Sequence, residues 1–164
     1  MESLDETTLP GPEDRRVSVS REVLAPADVV FELIANPARQ PDGDGNDNLA
    51  AARPGQRVTA VGDVFLMTLT KDAAVRENHV VEFEEGRRIA WLPAEVGQEP
   101  PGHLWRWEVE AGRGETRCRV THTYEWDRLT DPRRIRRALR TGEEQLRASM
   151  DRLATLAEAH ESGC

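Results

Sequence analysis

Residues 77–93, ENHVVEFEEGRRIAWLP, residues 103–112, HLWRWEVEAG, and residues 115–126, ETRCRVTHTYEW, decide the fold of this chain. Each alternates residue by residue, the pattern of a β-strand with one covered and one wet face. The alternation puts His79, Val81, Phe83, Ile89 and Trp91 on one face, opposite Glu82, Glu84 and Arg88. In the second segment His103, Trp105, Trp107 and Val109 oppose Arg106, Glu108 and Glu110. In the third, Cys118, Val120, His122, Tyr124 and Trp126 oppose Arg117, Arg119, Thr121 and Thr123. The covered face so read holds all 4 Trp, the 1 Tyr and three of the 4 His. A face that only fills a core reads Val, Ile and Leu. An aromatic face with polar tips suits a concavity that holds a ligand.

Around this ladder the chain runs in a simple order. RRVSVSREVLA reads as a first strand, with Val17, Val19 and Val23 inward. APADVVFELIANPARQP follows. Pro26 suits a first helical turn, Val30, Phe31, Leu33 and Ile34 make an apolar stripe, and Asn36-Pro37 ends the helix. A second helical turn is expected at 37–40. Residues 41–57 read as an acidic loop at a pocket rim. Asp42, Asp44, Asn46 and Asn48 have the alternation of a calcium loop, but Asp47 and Arg53 stand where Gly and Glu are required. GDVFLMTLT is a further strand, with Phe65, Met67 and Leu69 on one face. Glu85-Gly86 and the Gly112–Gly114 stretch supply hairpin turns, and AEVGQEPPG is a second rim loop.

A long helix is expected to close the chain, capped by Asp131 with Pro132 in its first turn. One stripe runs through Ile135, Leu139, Leu146, Met150, Leu153 and Ala157. Its other face carries Arg133, Arg134, Arg136, Arg137 and Arg140, read as a solvated surface with the acidic N-terminal segment as a counter-charge.

At 164 residues the chain suits one domain over residues 15–160, between a flexible N-terminal tail, 1–14, and a C-terminal tail, 161–164. Its net charge of −8 argues against a nucleic-acid partner. All of its 22 basic residues except Lys71 are Arg, as in a GC-rich bacterial genome. No apolar run reaches bilayer-spanning length and the first residues lack a signal peptide's apolar core, so a cytoplasmic protein without membrane insertion is expected. Of the 2 cysteines, Cys118 reads as a small buried hydrophobe and Cys164 as a free terminal thiol.

APADVVFELIANPARQP, VVEFEEGRRIAW and TRCRVTHTYEW, with the closing helix, together resemble the helix-grip, START-like (SRPBCC) superfamily, in particular its polyketide cyclase/dehydrase-like members. The resemblance covers roughly residues 15–160. It implies an α+β fold: a curved antiparallel sheet of six or seven strands around a long C-terminal helix, with two short helices after the first strand. It also implies a cavity for a hydrophobic or aromatic molecule, polyketide- or lipid-like, with chemistry that varies or is absent.

This chain's own inward residues then supply the candidates. Ligand contact is expected from Phe65, Met67, His79, Val81, Trp91, His103, Trp105, Trp107, His122, Tyr124, Leu146 and Met150. His79, His122 and Tyr124 are the candidates for proton transfer. Three histidines on one face would suit zinc, but strand alternation does not bring them together at metal distance, so no metal is assigned. There is no phosphate loop, GxSxG, HExxH or CxxC, and nothing requires a cofactor. Three functions remain open, for a monomer or homodimer. The expected one is a carrier of a hydrophobic small molecule, with a cyclase/dehydratase-type enzyme as the alternative and an interaction module of the chaperone-cofactor kind as the second.

Overall fold

A computed structural model describes residues 15–44, 48–112, 114 and 116–162. The expected N-terminal tail, Asn46 and Asp47 of the acidic loop, and residues 163–164 lie outside the described residues, whereas residues 161–162 of the expected C-terminal tail are the last of a helix. Strands β1 (Arg16–Val23), β2 (Leu49–Ala51), β3 (Val64–Leu69), β4 (Val75–Glu84), β5 (Arg88–Glu95), β6 (Leu104–Ala111) and β7 (Cys118–Glu125) form one sheet. Its order is β1-β7-β6-β5-β4-β3-β2, with every neighbouring pair antiparallel. Helices α1 (Ala27–Ala35) and α2 (Gln40–Gly43) follow β1, with a 3-10 turn at Pro37–Arg39 between them. Helices α3 (Pro132–Ala138) and α4 (Glu143–Ser162) close the chain. This is the helix-grip fold: a curved antiparallel sheet closing on a long C-terminal helix.

Local chemistry explains the helix boundaries. Buried Val30, Phe31, Leu33 and Ile34 hold α1 to the core. Asn36 leaves the helix in an extended conformation, and its side chain accepts a bond from the Ala38 amide at 3.2 Å. Asp131 caps α3 by accepting from the Arg133 amide at 2.9 Å.

The single closing helix expected from the stripe is two. The Leu139–Gly142 segment lies between them, and Gln145 Oε1 accepts from the Gly142 amide at 2.8 Å, the reciprocal half of a capping box that starts α4 anew. Leu139 leaves the stripe and is 39% exposed, whereas Ile135, Leu146, Met150, Leu153 and Ala157 are buried.

Strand β4 departs from the expected uninterrupted alternation. Val80 pairs with Trp91 but Glu82 pairs with Ala90, so Val81 is an extra residue, a β-bulge. A one-residue slip exchanges the two faces of a strand. Asn78 and Val80 therefore point inward before the bulge, and Phe83 does so after it. His79 and Val81 lie on the outer face. His79 pairs with exposed Val64, and Val81 is itself 38% exposed.

Inward residues line up in rows across the sheet. One row runs Val80, Trp91, Trp105, Tyr124, Val17, and a second runs Phe83, Ile89, Trp107, His122, Val19. On the outer face Ser18 bonds Thr123 at 3.0 Å and Ser20 bonds Thr121 at 2.7 Å. Arg106 lies across small, buried Ala90. It donates to both oxygens of Glu82 at 2.9 and 2.7 Å, and to Glu125 at 2.7 Å. The Arg106 guanidinium holds the Glu82 carboxyl below its usual range.

Candidate functional site

Strands β5 and β6 pair only over Arg88–Trp91 and Trp105–Glu108. Beyond Trp91, β5 continues beside β4 alone as far as Glu95, while the chain loops out before re-entering at Leu104. This divergence opens a pocket of about 560 Å³ between the sheet, α1, α3 and α4. Its aromatic wall is Trp91, Trp105, Trp107, His122 and Tyr124, and Met67, Leu33, Ile34 and Leu146 add aliphatic surface. The volume lies in the range of small-molecule sites.

Direct cross-strand pairing produces the stacking on this wall. Trp107 faces His122 across β6 and β7, and their rings stack at 3.6 Å with 12° between planes. Trp105 faces Tyr124, with centroids 4.3 Å apart. Trp126 continues the stack behind Tyr124 at 5.3 Å. The rings stack on one another and restrict one another's rotamers, so the wall is preordered.

His122 is buried, and its Nδ1 is 3.1 Å from the Arg106 carbonyl. A carbonyl only accepts, so in the neutral ring the proton is on Nδ1. Loss of hydration pushes its pKa down to about 3, outweighing that bond. His122 is therefore a neutral plate in the wall and a weak base.

His103 Nδ1 lies 2.7 Å from the Tyr124 hydroxyl. Burial pushes the His103 pKa down to about 4, assisted by the positive charges of Arg134, Arg137 and Arg76. Burial also raises the Tyr124 pKa above its usual value, against a smaller opposing effect of Arg137. Both groups are uncharged at neutral pH, and the pair is a polar mark on an aromatic surface. It can orient a carbonyl or phenol and exchange a proton with it.

The sequence-derived candidates divide cleanly. Met67, Trp91, His103, Trp105, Trp107, His122, Tyr124 and Leu146 line the pocket. Phe65 and Met150 lie beneath it in the packed core, Phe65 edge-on to Trp91 at 5.4 Å. His79 and Val81 face away, which removes His79 from the proton-transfer candidates. Sequence reading missed Asn78 and Arg76, because the bulge reversed the phase of β4. It also missed Arg134 and Arg137, assigned to a solvated face, and Gln145 and Ser149 on α4, all of which line the pocket. The spacing of Arg134 and Arg137, one turn apart and flanking buried Ile135 and Ala138, was the available signal.

Among the described residues no group of His, Cys, Asp or Glu is placed to hold a metal ion. In the acidic loop, Asp44 accepts from the Asn48 and Leu49 amides at 2.6 and 2.9 Å, ordering its own backbone. Cys118 is buried and its thiol is pushed up to about 11 by desolvation, so it stays protonated. No helix among the described residues is long and apolar enough to cross a membrane.

Comparison with known proteins agrees on the architecture. The chain superposes on NE0264 from Nitrosomonas europaea with a TM-score of 0.67, at 13% identity, over 90% of this chain and 96% of that one. It also superposes on the ZhuI aromatase/cyclase from a Streptomyces species with a TM-score of 0.63, at 17% identity, over 88% and 93%. In sequence it is 29% identical over 121 residues to the uncharacterised protein Rv0088 of Mycobacterium tuberculosis, covering 68% of this chain and 47% of that protein. The chain thus spans about half the length of the curated relatives it matches. No family model matches the sequence.

Proposed function

We propose that this protein binds a hydrophobic or aromatic small molecule, polyketide- or lipid-like, in the pocket between sheet and closing helices, and acts as its carrier. The observation that carries this reading is the stacked wall of Trp105, Trp107, His122 and Tyr124 facing about 560 Å³ of open space. A ring system packs against such a wall with little loss of side-chain entropy, because the wall is already ordered. The pocket is open, whereas an interaction module with a vestigial cavity calls for side chains that fill it.

One observation favours a second reading, a cyclase/dehydratase-type enzyme. The His103–Tyr124 pair, bonded at 2.7 Å, sits at the end of the aromatic wall, and the fold is also that of an aromatase/cyclase. A flexible reactive chain laid along the wall would meet a phenol and an imidazole able to pass a proton at one carbonyl.

Native mass spectrometry of gently purified protein, followed by organic extraction, tests the carrier reading. The expected result is a discrete adduct of low molecular mass that is lost in Trp105→Ala. Absence of any adduct, with no thermal shift across aromatic polyketides and lipids, overturns it. Turnover of a poly-β-ketone analogue that disappears in His103→Ala while binding persists would select the enzyme.

A further inference from the structure

We propose that the ligand is an amphiphile carrying one oxyanion, a carboxylate or phosphate, which Arg76, Arg134 and Arg137 receive at the mouth of the pocket. The proposal rests on the pocket reading above and specifies what that pocket selects.

In a chain of net charge −8, three arginines line one pocket. They arrive from separate elements. Arg76 stands on β4 opposite inward Met67, and Arg134 and Arg137 lie one turn apart on α3. Their partners are few. Arg134 reaches Asp131 only at 4.0 Å, and Arg76 donates weakly to the carbonyl of its neighbour Val75 at 3.4 Å. Among the described residues Arg137 makes no ion pair. The contrast with Arg106 on the outer face, saturated by two carboxylates, is direct.

Three carboxylates, Asp44, Glu95 and Glu99, line the same pocket. Glu95 faces Arg76 in the strand register, and Glu99 lies in the rim loop, yet neither forms an ion pair with the three arginines among the described residues. Asp44 accepts from the Asn48 and Leu49 amides of its own loop. At His103 the fields of all three arginines add, with no opposing carboxylate among the causes of its shift. An oxyanion here would accept charge-assisted bonds from guanidinium groups, while its apolar body runs inward along the tryptophans. The arrangement separates the two ends of a ligand and sets its direction of entry.

The test uses two dyes with one aromatic skeleton, 1-anilinonaphthalene-8-sulfonate and uncharged N-phenyl-1-naphthylamine, titrated into the full chain by fluorescence. The sulfonate should bind about tenfold more tightly than the uncharged dye, with an affinity that falls as salt rises. Arg137→Gln, and the combined Arg76→Gln, Arg134→Gln, Arg137→Gln variant, should remove that advantage and leave the uncharged dye unaffected. Arg137 is exposed, so Arg137→Gln reports on charge without a folding defect. Displacement of the sulfonate by dodecanoate or by dodecyl phosphate then tells which oxyanion fits, with dodecanol inactive. Equal binding of both dyes, unchanged in the variants, overturns the oxyanion assignment and leaves the hydrophobic pocket standing. No binding of either dye overturns the pocket reading and the assignment with it.

Discussion

His103 and Tyr124 are joined by a 2.7 Å hydrogen bond, although one lies at the end of a rim loop and the other near the end of β7. The antiparallel register makes the contact. Leu104 pairs with Glu125 and Trp105 with Tyr124, so the residue before β6 reaches the hydroxyl of the strand beside it. Tyr124→Phe keeps the ring stack and removes the bond. We expect a stability loss of about 1 kcal/mol in chemical denaturation, because the imidazole nitrogen loses its buried partner. Ligand affinity should fall only modestly if the protein is a carrier, and turnover should vanish if it is an enzyme.

The two wall histidines make the fold acid-sensitive. Both have folded pKa values below their ordinary 6.5, His103 at about 4 and His122 at about 3. In that window the unfolded chain binds more protons than the folded one, so stability rises with pH. It is fully present above about pH 6.5 and declines as the pH falls toward 4. Urea melts at pH 7 and pH 5 should show this decline, and the His103→Gln, His122→Gln double variant should show a shallower one. An unchanged slope in that variant would place the sensitivity elsewhere.

Gly102 precedes His103 at φ +123, and a Cβ there would meet the Arg128 backbone at 2.7 Å. Both the backbone angle and the close approach require glycine. Gly102→Ala should cost about 2 kcal/mol in thermal unfolding and shift the His103 ring. Nuclear magnetic resonance of the His103–Tyr124 pair checks the second effect.

The bulge at Val81 is testable with two neighbouring substitutions. Val80 is 2% exposed and Val81 38%. Val80→Asp buries a charge beside Trp91 and should prevent folding, whereas Val81→Asp should change stability by about 0.5 kcal/mol or less. Uninterrupted alternation demands the opposite result, so circular dichroism of the two variants decides the register.

Alternation, helix periodicity and turn chemistry are local, and they determined most of this protein in advance. They specified strand faces at Trp91, Trp105, Trp107, His122 and Tyr124, the α1 stripe ended by Asn36-Pro37, and the order of elements that defines the grip. Periodicity carries this because each period measures where one face lies along a single element. What it cannot register is a change of phase or a break in direction. One extra residue, Val81, turned His79 outward and Asn78 and Arg76 inward. The Leu139–Gly142 break divided the closing helix and brought Arg134 and Arg137 to the pocket. Bulges and helix breaks are set by pairing and packing between elements far apart in sequence. Tertiary structure alone therefore decided that Arg76, Asn78, Arg134 and Arg137 line the pocket and that His79 does not.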